Sequence, residues 1–545
     1  MLKKLLLLII CLSVLISGCG TAQQKNTEGS SGNTAAQSGA VEATTANDGT
    51  NNGIDMSKKY KVTLMCFGWR NQPVGDDDPF KAWIDKKYNI DYNLIAVPGG
   101  DLQDKAAVAY ASGNPPDILF HWDKALFLKF YDQGLLAEDA TPFLEKLPTL
   151  KKSLTDSAAF TFCSKDGKMF AVPRPAGGDR WEFTIRKDWL ANLNLQAPKT
   201  ADELLDVLRK FTFNDPDKNG KNDTWGISGA GSGQNLNDLA ALGLMYGPGN
   251  TMGIKANSSI YLDTNKQIQS SILDGSHKSM LDFIKTCVDE KLMDPDFYTQ
   301  GWEQRKTKLY SGKIGVAYYP PSAIINETEL FNNNDGKGEA WWESIGIPKG
   351  SDNGGKRNPR SPVSGLYAIS ATTAQDKDKL DRILYFLDDA QYPNEGYNAL
   401  RWGIGILPGK EIKEADGIKY ISLKDDPRNG SMPGGWDYGV ISEFTGIDGI
   451  LQVNTDAPNS TNIYGQAQQI KANAAEDYGS DHASFLNLDP NLTSEADKMM
   501  NEFDIKYVMG SETDYEAFKE KWLSTAGNKL LEEVKKQWAD LGFLQ

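Results

Sequence analysis

The chain has 545 residues, of which 40% are hydrophobic and 24% charged, and it contains 13 tryptophans but only three histidines. Its formal net charge of −15 argues against a duplex nucleic-acid binder and a polybasic membrane-surface protein, because both need a basic face. So few histidines also argue against a histidine-rich transition-metal site. At about 150 residues per domain, the length predicts three or four domains or two large lobes.

The first 18 residues have the pattern of an export signal. A basic start is followed by an apolar run from Leu5 to Ile16, which is too short to span about 30 Å of hydrocarbon. The run ends in Ile16-Ser-Gly-Cys19, which resembles a bacterial lipobox and implies cleavage before Cys19 and lipidation of that residue. The alternative is ordinary secretion, with Cys19 incidental. We therefore expect a signal peptide over 1–18 and a lipid-anchored protein at the extracellular face of the cell membrane.

Residues 19–58 comprise the lipidated cysteine and a predicted tether. Thr21–Lys58 contains no aromatic residue and is rich in Thr, Ser, Gly, Asn, Ala and Gln. Such a segment cannot bury enough surface to offset the entropy lost on ordering, so we expect it to be disordered. As a flexible coil it would reach roughly 30–35 Å, which would keep the folded body near the membrane but free to reorient.

Three further cysteines, Cys66, Cys163 and Cys287, are widely spaced and odd in number. This pattern indicates neither a disulfide framework nor a zinc site. We expect all three to be buried thiols.

The first folded segment alternates strands and helices. The predicted elements are the strand Tyr60–Phe67, the helix Pro79–Tyr88, the strand Ile90–Val97, the helix Leu102–Ser112 and the strand Asp117–Phe120. This alternation is typical of an α/β fold with a parallel sheet and helices on both faces. Ligands bind such sheets at the carboxyl ends of the strands.

Two of these strand ends are followed by aromatic and polar side chains. Trp69 and Arg70 follow the first strand, and Trp122 and Asp123 follow the third. We expect these residues to lie beside one another at the rim of a ligand crevice. The alternative is that each tryptophan caps the hydrophobic core.

Further along the chain, the pattern predicts a crossing between two lobes and a return. Gly167–Pro173 is an apolar strand that would cross into a second lobe, and Ser311–Ala317 would return to the first. Thr200 and Glu203 form a capping box that begins a helix. The other predicted helices are Leu126–Gln133, one starting at Thr141, Ala374–Ala390 and Tyr515–Leu541.

Six short motifs in this order resemble family 1 extracellular solute-binding proteins of bacterial ABC importers. The resemblance is strongest to the long lipoprotein branch that includes alginate- and pectin-oligosaccharide-binding receptors, and it covers the chain from about Tyr60 onward. The motifs are Asn114-Pro-Pro-Asp-Ile, Gly167-Lys-Met-Phe-Ala-Val-Pro173, Arg186-Lys-Asp-Trp-Leu190, Thr200-Ala-Asp-Glu-Leu204, Ser311-Gly-Lys-Ile-Gly315 and Tyr507-Val-Met-Gly510.

This resemblance implies a two-lobe, type II periplasmic-binding-protein-like fold with discontinuous lobes and a ligand cleft between them. The N-terminal lobe would comprise 59–173 plus about 311–410, and the C-terminal lobe 174–310 plus about 411–545. It also implies an oligosaccharide ligand, an ABC transporter permease as partner, and no enzymatic activity. We expect a monomer that contacts the membrane only through its lipid anchor.

The sharpest local motif is an Asp-rich loop. Oxygen-bearing side chains at alternate positions, with Gly220 at the sixth, match the first part of an EF-hand-like calcium loop. Position 12 is Gly226 rather than Glu, so the missing ligand must come from within the loop, from water or from a distant residue. The expected structural Ca²⁺ ligands are Asp215, Asp217, Asn219, Lys221 through its carbonyl, Asp223 and Thr224. The alternative is a polar turn without metal.

A sugar receptor needs flat aromatic side chains for pyranose faces, and carboxylates and arginines for the hydroxyl groups. The expected ligand-binding residues are those at strand ends and in Gly-rich loops: Trp69, Arg70, Trp122, Asp123, Arg174, Trp181, Trp302, Glu303, Tyr319, Arg360, Trp402, Trp436 and Asp437, with Arg180 as a further candidate. Local arginines could bind uronate carboxylates, but the charge balance does not decide between neutral and acidic sugars. The tryptophans in amphipathic helical runs are expected in the core or on a lobe surface, namely Trp83, Trp189, Trp522 and Trp538.

Three other classes of protein remain as alternatives. A secreted glycosidase or lyase would also combine carboxylates with aromatic residues, but acidic pairs are uninformative in so acidic a chain. The sequence contains no Gly-x-Ser-x-Gly elbow, no His-Glu-x-x-His motif and no Walker loop. A scaffold lipoprotein without a small-molecule site, or a receptor for a non-sugar solute such as a peptide, would also fit the anchor.

Overall fold

The computed structural model describes most of the chain between Thr50 and Leu544. The described residues are 50–51, 54–68, 75, 77–97, 101–154, 158–175, 181–249, 259–321, 324, 328, 342–357, 361–415, 418–422, 440–441, 450–453 and 481–544. Cys19 and nearly all of the tether lie outside them, as do six candidate ligand residues: Trp69, Arg70, Arg180, Arg360, Trp436 and Asp437.

The described strands form two main sheets and four small ones. The strands are Thr50–Asn51, Ile54–Asp55, Tyr60–Phe67, Ile90–Val97, Ile118–His121, Ser164–Lys165, Lys168–Met169, Val172–Pro175, Glu182–Arg186, Trp225–Ile227, Ile260–Leu262, Ile268–Ser270, Ile314–Tyr319, Trp342–Gly346, Val363–Ile369, Lys413–Ala415, Ile418–Ser422 and Leu451–Val453.

The first sheet has five strands, in the order Ile90–Val97, Tyr60–Phe67, Ile118–His121, Val363–Ile369 and Val172–Pro175. The first three are parallel, as predicted, and the register places Cys66 opposite Phe120. Val363–Ile369 runs antiparallel to both of its neighbours. Because Tyr60–Phe67 lies between the two strands that follow it in this sheet, the direction of winding reverses there, and a ligand crevice is expected at its carboxyl end.

The second sheet has four strands, in the order Trp225–Ile227, Ile314–Tyr319, Glu182–Arg186 and Trp342–Gly346. The strand predicted to return to the first lobe near residue 311 therefore lies in the second sheet. There it pairs in parallel with Trp225–Ile227 and antiparallel with Glu182–Arg186. The chain returns to the first sheet later, with Val363–Ile369. A buried apolar strand has the same composition in either sheet, so the sequence pattern could not distinguish the two.

Helices cover both sheets, and none of those described combines the length and apolarity needed to span a membrane. The α-helices are Pro79–Tyr88, Leu102–Ala111, Lys124–Asp132, Pro148–Ser153, Ala158–Phe162, Lys187–Asn192, Ala201–Phe213, Ser271–Asp274, Ser276–Asp289, Trp302–Tyr310, Ala371–Gln375, Lys377–Asp389, Glu395–Trp402, Pro490–Val508, Tyr515–Trp522 and Asn528–Asp540, with 3₁₀ turns at Thr141–Lys146, Asn237–Met245 and His482–Phe485.

Local capping explains where several helices begin. The predicted capping box is present: Glu203 N donates to Thr200 Oγ1, and Thr200 N donates to the Glu203 carboxylate. The helix expected over Ala374–Ala390 is divided, because the Asp376 carboxylate accepts from Lys379 N and starts a new helix.

Two large hydrophobic cores lie on the two sheets, one in each lobe. Cys66 and Cys163 belong to the first core and Cys287 to the second, and all three are buried thiols outside any disulfide, as predicted. The second core also contains Trp189, Trp522 and Trp538, each fully buried. The structure is thus a two-lobe α/β fold, which confirms the expected fold class.

A segment near the C-terminus contacts both lobes. Leu486 and Leu488 are buried in the second core. From the first lobe, Lys124 Nζ donates to Ser484 O at 3.1 Å and lies 4.7 Å from the Phe162 ring centroid. Burial is the main cause that lowers the pKa of Lys124 to about 7.

The lowered pKa gives a pH-dependent contribution to stability. An unfolded lysine keeps its proton to about pH 10.4, so between pH 7 and pH 10 the folded state binds fewer protons, and this residue favours folding more as the pH rises. We expect Lys124→Met to be more stable than wild type at pH 6 and to lose that advantage by pH 10, as measured by urea unfolding. Lys129→Met, at an exposed position on the same helix, is the control. A pH-independent effect of Lys124→Met would contradict the prediction.

Candidate functional site

The first aromatic cluster lies at the rim of the first sheet. The ring centroids of Phe67 and Trp122 are 5.2 Å apart in an edge-to-face arrangement, and those of Phe120 and Trp122 are 5.5 Å apart. Trp122 remains 41% exposed. The first and third strands end side by side, as expected, and leave a large aromatic face in solvent, whereas the placement of Trp69 and Arg70 beside Trp122 stays a prediction.

Asp123, next to this cluster, caps a helix. Its Oδ1 accepts from Ala125 N at 3.0 Å, and its Oδ2 accepts from Gln103 Nε2 at 3.2 Å. The carboxylate therefore has a structural role at the start of Lys124–Asp132. A ligand hydroxyl that donated to the Asp123 carboxylate would have to share it with these two donors.

A second aromatic cluster lies at the second sheet, and we call its three rings, Trp181, Trp302 and Tyr319, the aromatic platform. Trp302 is stacked on Tyr319, with centroids 5.6 Å apart and planes inclined by 19°. Trp181 lies 5.8 Å from Trp302 and 5.4 Å from Tyr319. Trp181 and Trp302 are half-buried, whereas Tyr319 is only 5% exposed. Three sequence-predicted residues are thus brought together.

Three different elements supply these rings. Tyr319 ends one strand and pairs directly with Glu182, the first residue of the neighbouring strand, so Trp181 lies just beyond that pair. Trp302 begins the helix Trp302–Tyr310 after Gly301. Neighbouring strands and the following helix bring together residues that are far apart in sequence, so only the tertiary structure defines the platform.

Buried charges that sequence reasoning missed lie behind the platform. Arg305 pairs with Asp238 at 2.8 Å, and Arg357 pairs with Glu182, which also accepts a hydrogen bond from Ser344. All of these side chains are less than 10% exposed. The sequence did offer one signal, since Arg305 follows Trp302 by three positions and so shares its helix face.

The platform includes or adjoins two tyrosines with raised pKa values and a glutamate that lies near a lysine. Burial raises the pKa of the Tyr318 and Tyr319 hydroxyls, which therefore stay protonated and can donate hydrogen bonds. Glu303 keeps 46% of its side chain exposed, and its Oε1 lies 4.0 Å from Lys306 Nζ. The site therefore offers an accessible carboxylate beside aromatic faces.

Arg174 is buried within the first lobe. It is 0% exposed; its Nε donates to Ser364 Oγ at 2.9 Å and its Nη1 to Val440 O at 2.9 Å. Its guanidinium also lies 4.4 Å from the Phe120 ring centroid. Strand pairing places Arg174 inside the first lobe rather than at a lobe edge, and its contact with a ligand stays a prediction.

Trp402 is also buried rather than exposed in a loop. It is 1% exposed and packs in a small core with Tyr397, Ile421 and Ile450. The Gly-rich stretch that suggested a loop begins one residue later, where Gly403 has φ of 75° and ends the helix. The expectation that Trp402 lies in an exposed loop is therefore wrong, and its contact with a ligand stays a prediction.

The different burial of two tryptophans predicts that their substitution lowers the free energy of unfolding by different amounts. We expect Trp402→Ala to lower the free energy of unfolding by about 3–5 kcal/mol, because it leaves a large cavity. The control is Trp122→Ala at the exposed rim, which should cost about 1 kcal/mol or less. Urea denaturation measures both, and equal losses in the two variants would contradict the placement of Trp402.

The Asp-rich loop has backbone geometry suited to a cation. The Asp215 carboxylate accepts from Asn219 N and Gly220 N, each at 3.0 Å, and Gly220 has φ of 75°. Asp217 Oδ1 is buried without a hydrogen-bond partner among the described residues. Burial and the neighbouring carboxylates raise the pKa of Asp217, so crowded negative charge at this point lacks compensation.

Other groups in the loop are engaged elsewhere. Asn219 turns its amide nitrogen inward, 2.7 Å from Asp217 Oδ2 and 3.2 Å from Asp223 Oδ1, and Lys313 Nζ pairs with Asp223 at 2.5 Å. The Thr224 hydroxyl donates to Phe211 O in the interior, so it does not supply the missing ligand. Across the described parts of the chain, no three His, Cys, Asp or Glu side chains already converge as a metal site.

Comparison with known proteins gives consistent matches. Residues 72–380 match the family of bacterial extracellular solute-binding proteins. The polygalacturonan/rhamnogalacturonan-binding protein YtcQ of Bacillus subtilis (strain 168) is 26% identical over 97% of both chains. The fructooligosaccharide ABC transporter substrate-binding protein FusA of Streptococcus pneumoniae serotype 4 is 24% identical over 70% of both.

Solved structures share the fold. The alginate-binding protein AlgQ2, solved without calcium ion, matches with a TM-score of 0.65 and 15% identity over 88% of this chain and 98% of its own. An EF-hand mutant of FusA in complex with fructo-nystose matches with a TM-score of 0.63 and 15% identity over 88% of this chain and 99% of its own. At this identity the likeness concerns the fold alone.

Proposed function

Because this chain belongs to the bacterial extracellular solute-binding protein family, we propose that it captures an oligosaccharide between its two lobes and delivers it to an ABC transporter permease. Membership places the chain among solute-binding proteins rather than enzymes, as the sequence predicted. The names of its relatives support the class of solute, since YtcQ is named for binding pectic polymers and FusA for fructooligosaccharides.

The aromatic platform is the observation that carries this proposal. Pyranose and furanose rings present apolar C–H faces, and a flat aromatic surface buries such a face without leaving polar atoms unpaired. Trp181 and Trp302 keep part of their rings accessible, and the exposed Glu303 carboxylate beside them can accept from sugar hydroxyls. Trp122 at the first sheet adds a further aromatic face.

Domain closure would couple this site to transport. A ligand that contacts both lobes favours the closed arrangement, because only that state allows contacts from both sides. We assign the first lobe to the five-stranded sheet and the second to the four-stranded sheet with the C-terminal helices. A lipid on Cys19 and a flexible tether would keep this closed form near the permease, and LipO of Bacillus subtilis (strain 168), a relative, is named as a lipoprotein.

The proposal is tested by a thermal-shift screen of residues 56–545 with trigalacturonate, kestose and an alginate trisaccharide. We expect one class of sugar to raise the melting temperature and to be recovered intact by mass spectrometry. Degradation of the sugar would indicate an enzyme instead. No shift across a broad panel would contradict the sugar assignment and direct the search to peptides.

Ring stacking predicts the effect of removing a platform residue. We expect Trp302→Ala or Trp181→Ala to weaken binding of the best panel sugar by about 1–3 kcal/mol, roughly 5–150-fold in Kd, by analogy with measured base stacking. Isothermal titration calorimetry measures the Kd. Trp83→Ala is the matched control, because Trp83 is partly buried against Tyr88 on a helix outside the platform. Unchanged affinity in both platform variants would remove these rings from the site.

We also propose that the Asp-rich loop holds a structural Ca²⁺. Asp215, Asp217 and Asp223 provide hard oxygen donors, the Asn219 side chain and the Lys221 carbonyl provide neutral ones, and the unpaired Asp217 Oδ1 is the atom that a cation would compensate. Rotation of the Asn219 amide would turn its oxygen inward. Because Gly226 and Thr224 give no ligand, water or a distant group must complete the shell. The FusA variant described as an EF-hand mutant supports such a loop in a relative.

Calcium should therefore stabilise the protein. At a Ca²⁺ concentration 100-fold above Kd, we expect about 2.7 kcal/mol of stabilisation over the EGTA-treated protein. Asp217→Asn should abolish this response and, in EGTA, should not destabilise the fold, since it relieves carboxylate crowding. The matched control is Asp263→Asn, in another turn whose carboxylate accepts from Asn265 N and Gln267 N. A wild-type melting temperature that is the same in calcium and in EGTA would contradict the metal proposal.

A further inference from the structure

The buried Arg305 side chain contacts two rings of the aromatic platform. Its guanidinium carbon lies 4.5 Å from the Trp302 ring centroid and 5.9 Å from that of Tyr319. Those two rings are 5.6 Å apart and nearly parallel. Arg305 therefore lies close to both rings.

Asp238 holds this guanidinium in place. Its Oδ2 lies 2.8 Å from Arg305 Nη2 and accepts from Nε at 3.1 Å. Its Oδ1 accepts from Ala230 N at 3.0 Å, so the carboxylate is itself fixed to the backbone. The exposed fractions are 0% for Arg305 and 2% for Asp238. A buried charge pair with this many contacts has a single favoured geometry.

One nitrogen of Arg305 takes no part in the pairing with Asp238. Nη1 is buried and has no hydrogen-bond partner in the part of the chain that the structure describes. An unpaired buried N–H group is costly, and an aromatic face is a weak acceptor that offsets part of this cost. The cation–π contact with Trp302 further stabilises the buried guanidinium. The orientation of the rings and that of the guanidinium are thus coupled.

We propose that Arg305 is a positioning residue for ligand binding, which, held by Asp238, sets the orientation of Trp302 and Tyr319 before the ligand arrives. The inference rests on the proposed function, since it assumes that the platform receives the sugar. A ring that is already oriented loses less freedom on binding, and that loss would otherwise reduce affinity. Arg305 contributes to affinity in this way without touching the ligand.

Arg305→Lys separates this role from charge pairing. Lysine keeps a cation for Asp238 but lacks the planar face that lies against the rings. The matched control is Arg186→Lys, because Arg186 pairs with Asp188 at 2.5 Å and lies 4.7 Å from the Trp189 ring centroid. It is 4% exposed, and Trp189 is a fully buried core ring. The two substitutions remove the same kind of contact in the same lobe.

Calorimetric titration of the best panel sugar, together with melting temperatures, gives the first readout. We expect both variants to melt lower, but only Arg305→Lys to raise Kd, by about fivefold or more. Equal Kd values in the two variants would overturn the inference. If Arg305→Lys does not fold, Arg305→Met combined with Asp238→Asn removes both charges and keeps an acceptor for Ala230 N. That double variant should show the same rise in Kd.

Fluorine NMR of protein labelled with 5-fluorotryptophan gives a second readout that needs no ligand. The Trp302 resonance is assigned from its loss in Trp302→Phe. We expect Arg305→Lys to shift or broaden it and Arg186→Lys to leave it unchanged. An unchanged resonance in Arg305→Lys, with tight sugar binding by wild type, overturns the positioning role alone. If wild type binds no panel sugar, the proposed function fails, and the ligand role of Arg305 fails with it.

Discussion

The structure depends on hydrogen bonds between two segments of chain that pass from one sheet to the other. At the first sheet, Arg174 donates to Ser364 on the returning strand. At the second sheet, Glu182 on the outgoing strand pairs with Arg357 on the returning segment. These groups are buried, so removing one partner of the Glu182–Arg357 pair would leave an uncompensated charge in the interior, and removing Ser364 Oγ would take a hydrogen-bond acceptor from the Arg174 guanidinium. The outgoing and returning segments that connect the two lobes are therefore held together by side-chain contacts at both sheets.

This constraint also explains the candidate site. Trp181 immediately precedes Glu182, and Tyr319 pairs with Glu182 across the strands, so the residue that ends the crossing also positions two platform rings. Trp302 completes the platform from a helix whose inner face carries Arg305. Aromatic faces are thus supported by buried charges that the ligand does not need to reach. If the platform binds sugar as proposed, this support would favour affinity through preorganisation rather than through additional contacts.

Local sequence patterns predicted much of the first lobe. The strand Tyr60–Phe67, the helix Pro79–Tyr88 and the strand Ile90–Val97 have the predicted bounds, because hydrophobic periodicity and a helix-starting Asp-Pro are local signals. Trp122 was placed at the rim by strand order alone. Arg174 and Trp402 were misplaced, since neither strand pairing partners nor the one-residue position of a helix end is encoded in composition.

The sequence by itself determined many of the element types and the presence of an Asp-rich loop, because each depends on residues close together in the chain, and the order of six short motifs indicated the class of protein. Only the tertiary structure decided that Ile314–Tyr319 belongs to the second sheet and that Trp181, Trp302 and Tyr319 meet. It also decided that Thr224 faces the interior and that Arg305 pairs with Asp238. The physical reason is that burial and pairing between distant segments depend on how whole sheets and helices pack, which short patterns do not specify.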